Sequence, residues 1–152
     1  MRRLALVLLA FAVLAPAAAA GTVVKTAYNA NLKKTILVNA RGLTLYYLTA
    51  DYGGTSACVY KPGDPCTKWW PPLLTTGTPT AGKGAKQSLL GTITRDDGTT
   101  QVTYAGHPLY RFAGGMGYGL GDRKPGDVRG QAFLTIWWIL SPKGKEIRKP
   151  PK

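Results

Sequence analysis

Two stretches of this chain nearly coincide. "GLTLYYL" (Gly42 to Leu48) returns 64 positions later as "GHPLYRF" (Gly106 to Phe112), so that Leu45 and Tyr46 meet Leu109 and Tyr110. "KPGD" occurs at Lys61 to Asp64 and again at Lys124 to Asp127, and "WW" at Trp69–Trp70 and again at Trp137–Trp138. Three features in one order at nearly equal spacing mark a tandem duplication of a unit of about 65 residues. Such a repeat is read as two related supersecondary units that share a core.

Each unit reads as antiparallel β-structure. "TILV" (Thr35 to Val38), "NARG" and "LTLYYLT" (Leu43 to Thr49) form strand, glycine-containing turn and strand. In the second unit, "GTITR", "DDG" and "TTQVTY" (Gly91 to Tyr104) make a hairpin around an Asp-Gly turn, and "AGHP" turns the chain into "LYRFA". A last run, "AFLTIWWIL" (Ala132 to Leu140), is β-branched and aromatic, as a buried strand would be. Nineteen glycines and eleven prolines leave little room for helix, and a short helical turn before Trp69 is the only one expected. The expectation is an all-β, single compact domain over residues 21–142, with unit one near 35–75 and unit two near 91–142. Alternate residues of a strand share a face, so Tyr46 goes with Leu48 and Tyr110 with Phe112, while Arg111 points away.

The N-terminus, MRRLALVLLAFAVLAPAAAA, has two arginines, an apolar run from Leu4 to Leu14 and small residues at Ala18 and Ala20. These are the parts of a secretory signal peptide, with cleavage expected near Ala20–Gly21. The apolar run is shorter than the roughly 20 residues of a spanning helix. No cysteine follows it to carry a lipid, which points to a protein secreted in free form, periplasmic or extracellular. Cys58 and Cys66 lie in one loop, "CVYKPGDPC". An even count in an oxidising compartment reads as a disulfide, and Pro62, Gly63 and Pro65 let the loop turn back on itself. Two cysteines and one histidine fall short of the four ligands usual in a structural metal site.

Twenty Lys and Arg stand against seven Asp and Glu, a formal charge of +13 that falls by two with the loss of Arg2 and Arg3. An exported chain so basic favours anionic partners: envelope polymers or a membrane surface, with no specific nucleic acid indicated. A solvated surface that prevents self-association is the plainer reading of the same charge.

"ARGLTLYYLTAD", "WPPLL", "YAGHPLYRFAGG" and "PGDVRGQ…WWILSP" together resemble a bacterial secreted-repeat family described as predicted lipoproteins with a Y-x-(F/W/Y)-x-x-D motif. The resemblance spans roughly Leu37 to Pro142. It implies an exported, repeated architecture and no established reaction. In the first copy the motif falls on Tyr46, Leu48 and Asp51, where leucine replaces the aromatic residue. In the second it falls on Tyr110, Phe112 and Gly115, where the acid is gone. Neither copy holds tyrosine, aromatic and acid together, which favours packing over chemistry at these positions.

Little else points to catalysis. The only histidine, His107, sits in the turn between Gly106 and Pro108; Asp96 and Asp97 belong with the turn that Gly98 completes, and Asp64 and Asp127 with the duplicated "PGD" turns. No acid pair or nucleophile and base is singled out, so the chain is read as a non-enzyme without a cofactor. The alternative is a small metal-binding or electron-transfer protein using His107 and Met116, although a blue-copper site needs two histidines and a thiolate. The long glycine-rich loop from Gly114 to Gly130 offers Tyr118, Arg123, Lys124 and Arg129, with His107, as a candidate ligand-binding set. The tail, residues 143–152, is basic and expected to be mobile. The overall expectation is a binding or structural module for anionic envelope components.

Overall fold

The computed structural model describes residues 21–151 except 64, 116 and 118. The expected signal peptide, Met116 and Tyr118 therefore lie outside the described residues. Among those residues the elements run, in chain order, β1 (Val23–Asn29), β2 (Lys34–Asn39), β3 (Tyr46–Leu48), α1 (Cys66–Trp69), β4 (Thr80–Ala81), β5 (Leu90–Thr94), β6 (Thr100–Tyr104), β7 (His107–Pro108), β8 (Trp137–Leu140) and β9 (Glu146–Ile147). The chain is all-β, as expected, and α1 is the expected turn before Trp69, which joins it as its last residue.

Three small sheets have the orders β2-β1-β4, β3-β8-β9 and β5-β6-β7. All neighbours are antiparallel except β1 and β4. Side-chain chemistry sets the turns. Asn39 ends β2 by accepting the amides of Arg41 and Leu43 on its Oδ1, each at 3.0 Å, an asparagine turn of the kind that competes with strand continuation. Between β5 and β6, Gly98 donates to the Arg95 carbonyl at 2.9 Å while Asp97 Oδ1 accepts the Thr99 amide, as the Asp-Gly reading anticipated.

The middle sheet is buried on both faces. Tyr46 and Leu48 of β3, Trp137 and Ile139 of β8, and Tyr110 and Phe112 look into one core with Ile36, Val38, Cys58 and Trp70. Leu45, Tyr47, Trp138 and Leu140 look into the other with Val24, Leu37, Val102, Tyr104 and Leu109. Strand alternation thus divides the apolar residues between two layers. Beside β3 runs the segment around Tyr110, joined by reciprocal bonds at 2.9 Å from each tyrosine's amide to the other's carbonyl.

Several bonds recur in matched form. Thr49 donates to the Ile136 carbonyl at 2.9 Å, and Ala113, 64 positions later, to that of Trp69 at 2.8 Å. Leu45 donates to Leu37 at 3.1 Å, and Leu109 to Val102 at 3.0 Å. Tyr46 stands opposite Ile139, and Tyr110 opposite Pro72. At the centre Trp70 and Trp137 stack with ring centroids 3.8 Å apart and planes 3° from parallel. Trp137 thus meets Trp70, not the Trp69 with which the "WW" alignment paired it. A one-residue shift decides which face a strand side chain takes, and Trp138 accordingly lies in the other core.

Two expectations are corrected. The strand expected over Ala132–Leu140 begins only at Trp137, because Ala132, Leu134 and Thr135 take left-handed φ values of 64°, 49° and 60° and wind Phe133–Thr135 into a 3-10 turn. That turn lays Phe133 against Trp70, with centroids 5.6 Å apart. The tail expected to be mobile is instead attached as far as Lys149. β9 pairs with β8, Ile147 is buried, Gln131 Nε2 donates to the carbonyls of Ile147 and Lys149, and Lys149 Nζ donates to the Leu32 carbonyl at 3.2 Å. Its basic composition hid a single apolar anchor, Ile147.

Candidate functional site

Where β3 meets the Tyr110 segment, two fully buried tyrosines each reach an acid from the opposite half of the chain. The Tyr46 hydroxyl donates to Asp122 Oδ2 at 2.6 Å and accepts the Gly130 amide at 3.2 Å. The Tyr110 hydroxyl donates to Asp51 Oδ2 at 2.9 Å. The second oxygen of each acid takes one backbone amide: Asp122 Oδ1 that of Arg129 at 2.9 Å, Asp51 Oδ1 that of Ala57 at 2.8 Å. Each tyrosine ring also meets a tryptophan edge-on, Tyr46 with Trp70 at 5.4 Å and Tyr110 with Trp137 at 5.1 Å, a favoured aromatic geometry.

Asp122 is the residue that motif spacing missed. Gly115 was the expected place for the second acid, but the segment after Ala113 loops out and returns. Gly114 pairs with Leu120, and Asp122 donates its amide to the Phe112 carbonyl at 2.9 Å. In the first half, Asp51 donates in the same way to Leu48 at 3.1 Å. The loop closes because Gly114, at φ 83°, and Gly121 approach backbone to backbone, where a Cβ on Gly114 would lie 2.2 Å from the Gly121 nitrogen. The usable signal was the density of glycine between Phe112 and Asp122, a sign of insertion rather than of a lost acid.

Burial raises the pKa of both acids. Asp51 is pushed up to about 6, held from going higher by the Ala57 amide, the Tyr110 hydroxyl and the charge of Arg95. Asp122 is raised by the same cause against the bonds from Tyr46 and Arg129. Tyr46 and Tyr110 are driven well above their usual value, by burial first and then by the carboxylate each one faces. Near neutral pH the Tyr110–Asp51 pair is therefore a neutral phenol donating to a carboxylate, a charge-assisted bond. Completely buried hydroxyls so engaged act as clamps, not as nucleophiles.

A buried arginine extends the Tyr110 clamp. Arg95, only 5% exposed, donates to Ser56 Oγ at 2.8 Å, Gln101 Oε1 at 2.6 Å and the Cys58 carbonyl at 2.7 Å. Ser56 Oγ lies 2.7 Å from the Tyr110 hydroxyl. With the Tyr110 proton directed to Asp51, the donors run from Arg95 through Ser56 and Tyr110 to the carboxylate. Cys58 and Cys66 are joined as a disulfide, which holds the carbonyl that Arg95 grips. Nothing in the local sequence singles out Ser56, Arg95 or Gln101, since Arg95 reads as the flank of a turn.

The remaining candidate residues do not converge. His107 is half-buried at the turn into β7, its ring 4.7 Å from that of Tyr47. Arg123 and Lys124 are exposed, and their amides bind Asp127 Oδ2 at 2.9 and 3.2 Å, so the second "PGD" acid does serve a turn. Arg129 bonds the Gly121 carbonyl at 3.2 Å and closes the Asp122 loop. Phe112 packs on Trp70 at 4.5 Å. For the metal alternative, both thiols are in the disulfide, and no group of three or more His, Cys, Asp or Glu among the described residues could hold an ion.

Residues 91–141 match the model of a family described as a secreted repeat of unknown function, which supports an exported protein. No curated protein and no solved structure matches the chain. Among the described residues no helix is long and apolar enough to cross a membrane.

Proposed function

We propose that this protein is a non-enzymatic module that binds anionic components of the cell envelope, exported by the leader its sequence begins with. The observation that carries the reading is how its few acids are used. Asp51 and Asp122 are directed inward to tyrosines, and Asp97, Asp127 and Glu146 each face one arginine, in ion pairs with Arg95, Arg129 and Arg148. Among the described residues, most of the basic side chains form no ion pair with a carboxylate. Uncompensated surface cations attract polyanions over roughly 10 Å at moderate salt. The same inward use of the two half-buried acids supports a non-enzymatic role, since each is engaged by a tyrosine hydroxyl and a backbone amide.

The test is retention of the mature protein on immobilised anionic and neutral polysaccharides across a salt series. Retention on the anionic matrix, released as salt rises, is the expected result. Equal retention on both matrices, or none on either, refutes the reading.

A further inference from the structure

One surface cleft joins two arginines with no acid in its lining; another, beside the disulfide loop, joins Lys61 and Lys68, point charges without the planar fork of arginine. The first has a volume of about 390 Å3, and its lining includes Thr22, Asn39, Arg41, Pro72, Leu74 and Arg111. The cleft over β9 carries Lys34, Arg148 and Lys149, but Glu146 lines it too and pairs with Arg148. The cleft beside Arg95 contains Asp96 and Asp97.

We propose that Arg41 and Arg111 form a binding site for the phosphodiester groups of an anionic envelope polymer. The inference rests on the functional reading above and gives it an address and a ligand chemistry.

Both arginines spring from fixed backbone. The amide of Arg41 is held by Asn39 Oδ1 at 3.0 Å, within a turn closed by the Gly42 amide on the Asn39 carbonyl at 2.9 Å. The amide of Arg111 binds the Pro71 carbonyl at 3.0 Å, beside the Tyr110 bridge. Neither guanidinium has a hydrogen bond or ion pair among the described residues. Burial, with the Arg41 charge second, lowers the Arg111 pKa. Two like charges facing one cleft repel each other, and an oxyanion between them removes that repulsion while adding charge-assisted bonds.

A tetrahedral phosphate can turn different oxygens toward two guanidinium forks, whereas a planar carboxylate matches one. Arg111 is half-buried and Arg41 exposed, so the cleft has a recessed cation and an outer one. A single flexible polymer strand can reach the recessed one. A flat bilayer surface meets the rim first, and the only large exposed apolar side chain there is Leu74, 44% exposed.

The experiment is calorimetric titration of the mature protein with poly(glycerol phosphate) of defined length, and separately with phosphatidylglycerol vesicles. Wild type is compared with Arg41→Gln, with the pair Arg41→Gln and Arg111→Gln, and with a control of equal charge loss, Lys143→Gln with Lys145→Gln. Because no described bond depends on either guanidinium, melting points should match, and the exposed Arg41→Gln serves alone if the double variant does not. The expected losses are about tenfold per arginine, with less than about threefold for the control. Equal losses in the control overturn the site while leaving the general reading in place. Binding only to vesicles overturns the polymer as ligand. If wild type binds neither probe and no other polyanion, both the site and the reading fall.

Discussion

Tyr46 and Tyr110 bind each other through their backbones, amide to carbonyl at 2.9 Å in both directions, while each hydroxyl is engaged by an acid from the other's half. Removing one hydroxyl leaves a half-buried carboxylate short of a donor. Tyr46→Phe and Tyr110→Phe should each cost about 2 kcal/mol, read from urea unfolding. A loss under about 0.5 kcal/mol in both would mean that the clamps contribute packing alone.

Stability should depend on pH through Asp51. Its folded pKa of about 6 lies above the ordinary carboxylate value, so between those values the folded protein holds a proton that the unfolded chain has lost. This contribution is present at low pH and disappears as pH rises through 6. Asp122 acts in the same direction. Asp97, Asp127 and Glu146, held below their usual values, act oppositely at lower pH, weakened by solvent exposure. The melting temperature should rise by on the order of 5 °C between about pH 7 and pH 5, and Asp51→Asn should flatten that rise. An unchanged slope in the variant would exclude Asp51 as the titrating group.

Arg95→Met keeps bulk in place but leaves Ser56, Gln101 and the Cys58 carbonyl without their donor. A loss of about 3 kcal/mol is expected. Ser56→Ala, which breaks one link of the same chain, should cost about 1 kcal/mol. If the two variants cost the same, the arginine is not the organising member.

Gly130 has no room for a side chain: a Cβ there would lie 2.7 Å from Trp70 and 3.0 Å from the Tyr46 ring. Gly130→Ala should therefore destabilise by about 1–3 kcal/mol, with a change in near-ultraviolet circular dichroism from the displaced tryptophan. An unaltered aromatic signal would show that the stack accommodates a methyl group.

Much of this arrangement was legible as local pattern. The strand at Tyr46–Leu48, the Asp-Gly turn, the helical turn at Cys66–Trp69 and the cysteine loop each follow from neighbours in sequence, whereas the expected second strand, Leu109–Ala113, is no strand and makes only isolated bridges through Tyr110. What escaped depends on distance through space. Asp122 was overlooked because counting residues treats an inserted loop as a missing acid. The role of Arg95 exists only because β5, the disulfide loop and the Tyr110 segment converge. Ile147 carried no periodic signal at all, since one apolar residue among lysines shows itself only when a neighbouring strand is there to receive it.

The wiring of Tyr46 also sets when folding can finish. Its hydroxyl waits for residues 76 and 84 positions farther along the chain, and its strand for a partner that begins at Trp137. Closure over such separations is slow compared with hairpin formation. The first half therefore cannot settle its interior until nearly all of the chain is available to it. A chain cut short before Trp137 would leave Tyr46 without its strand partner.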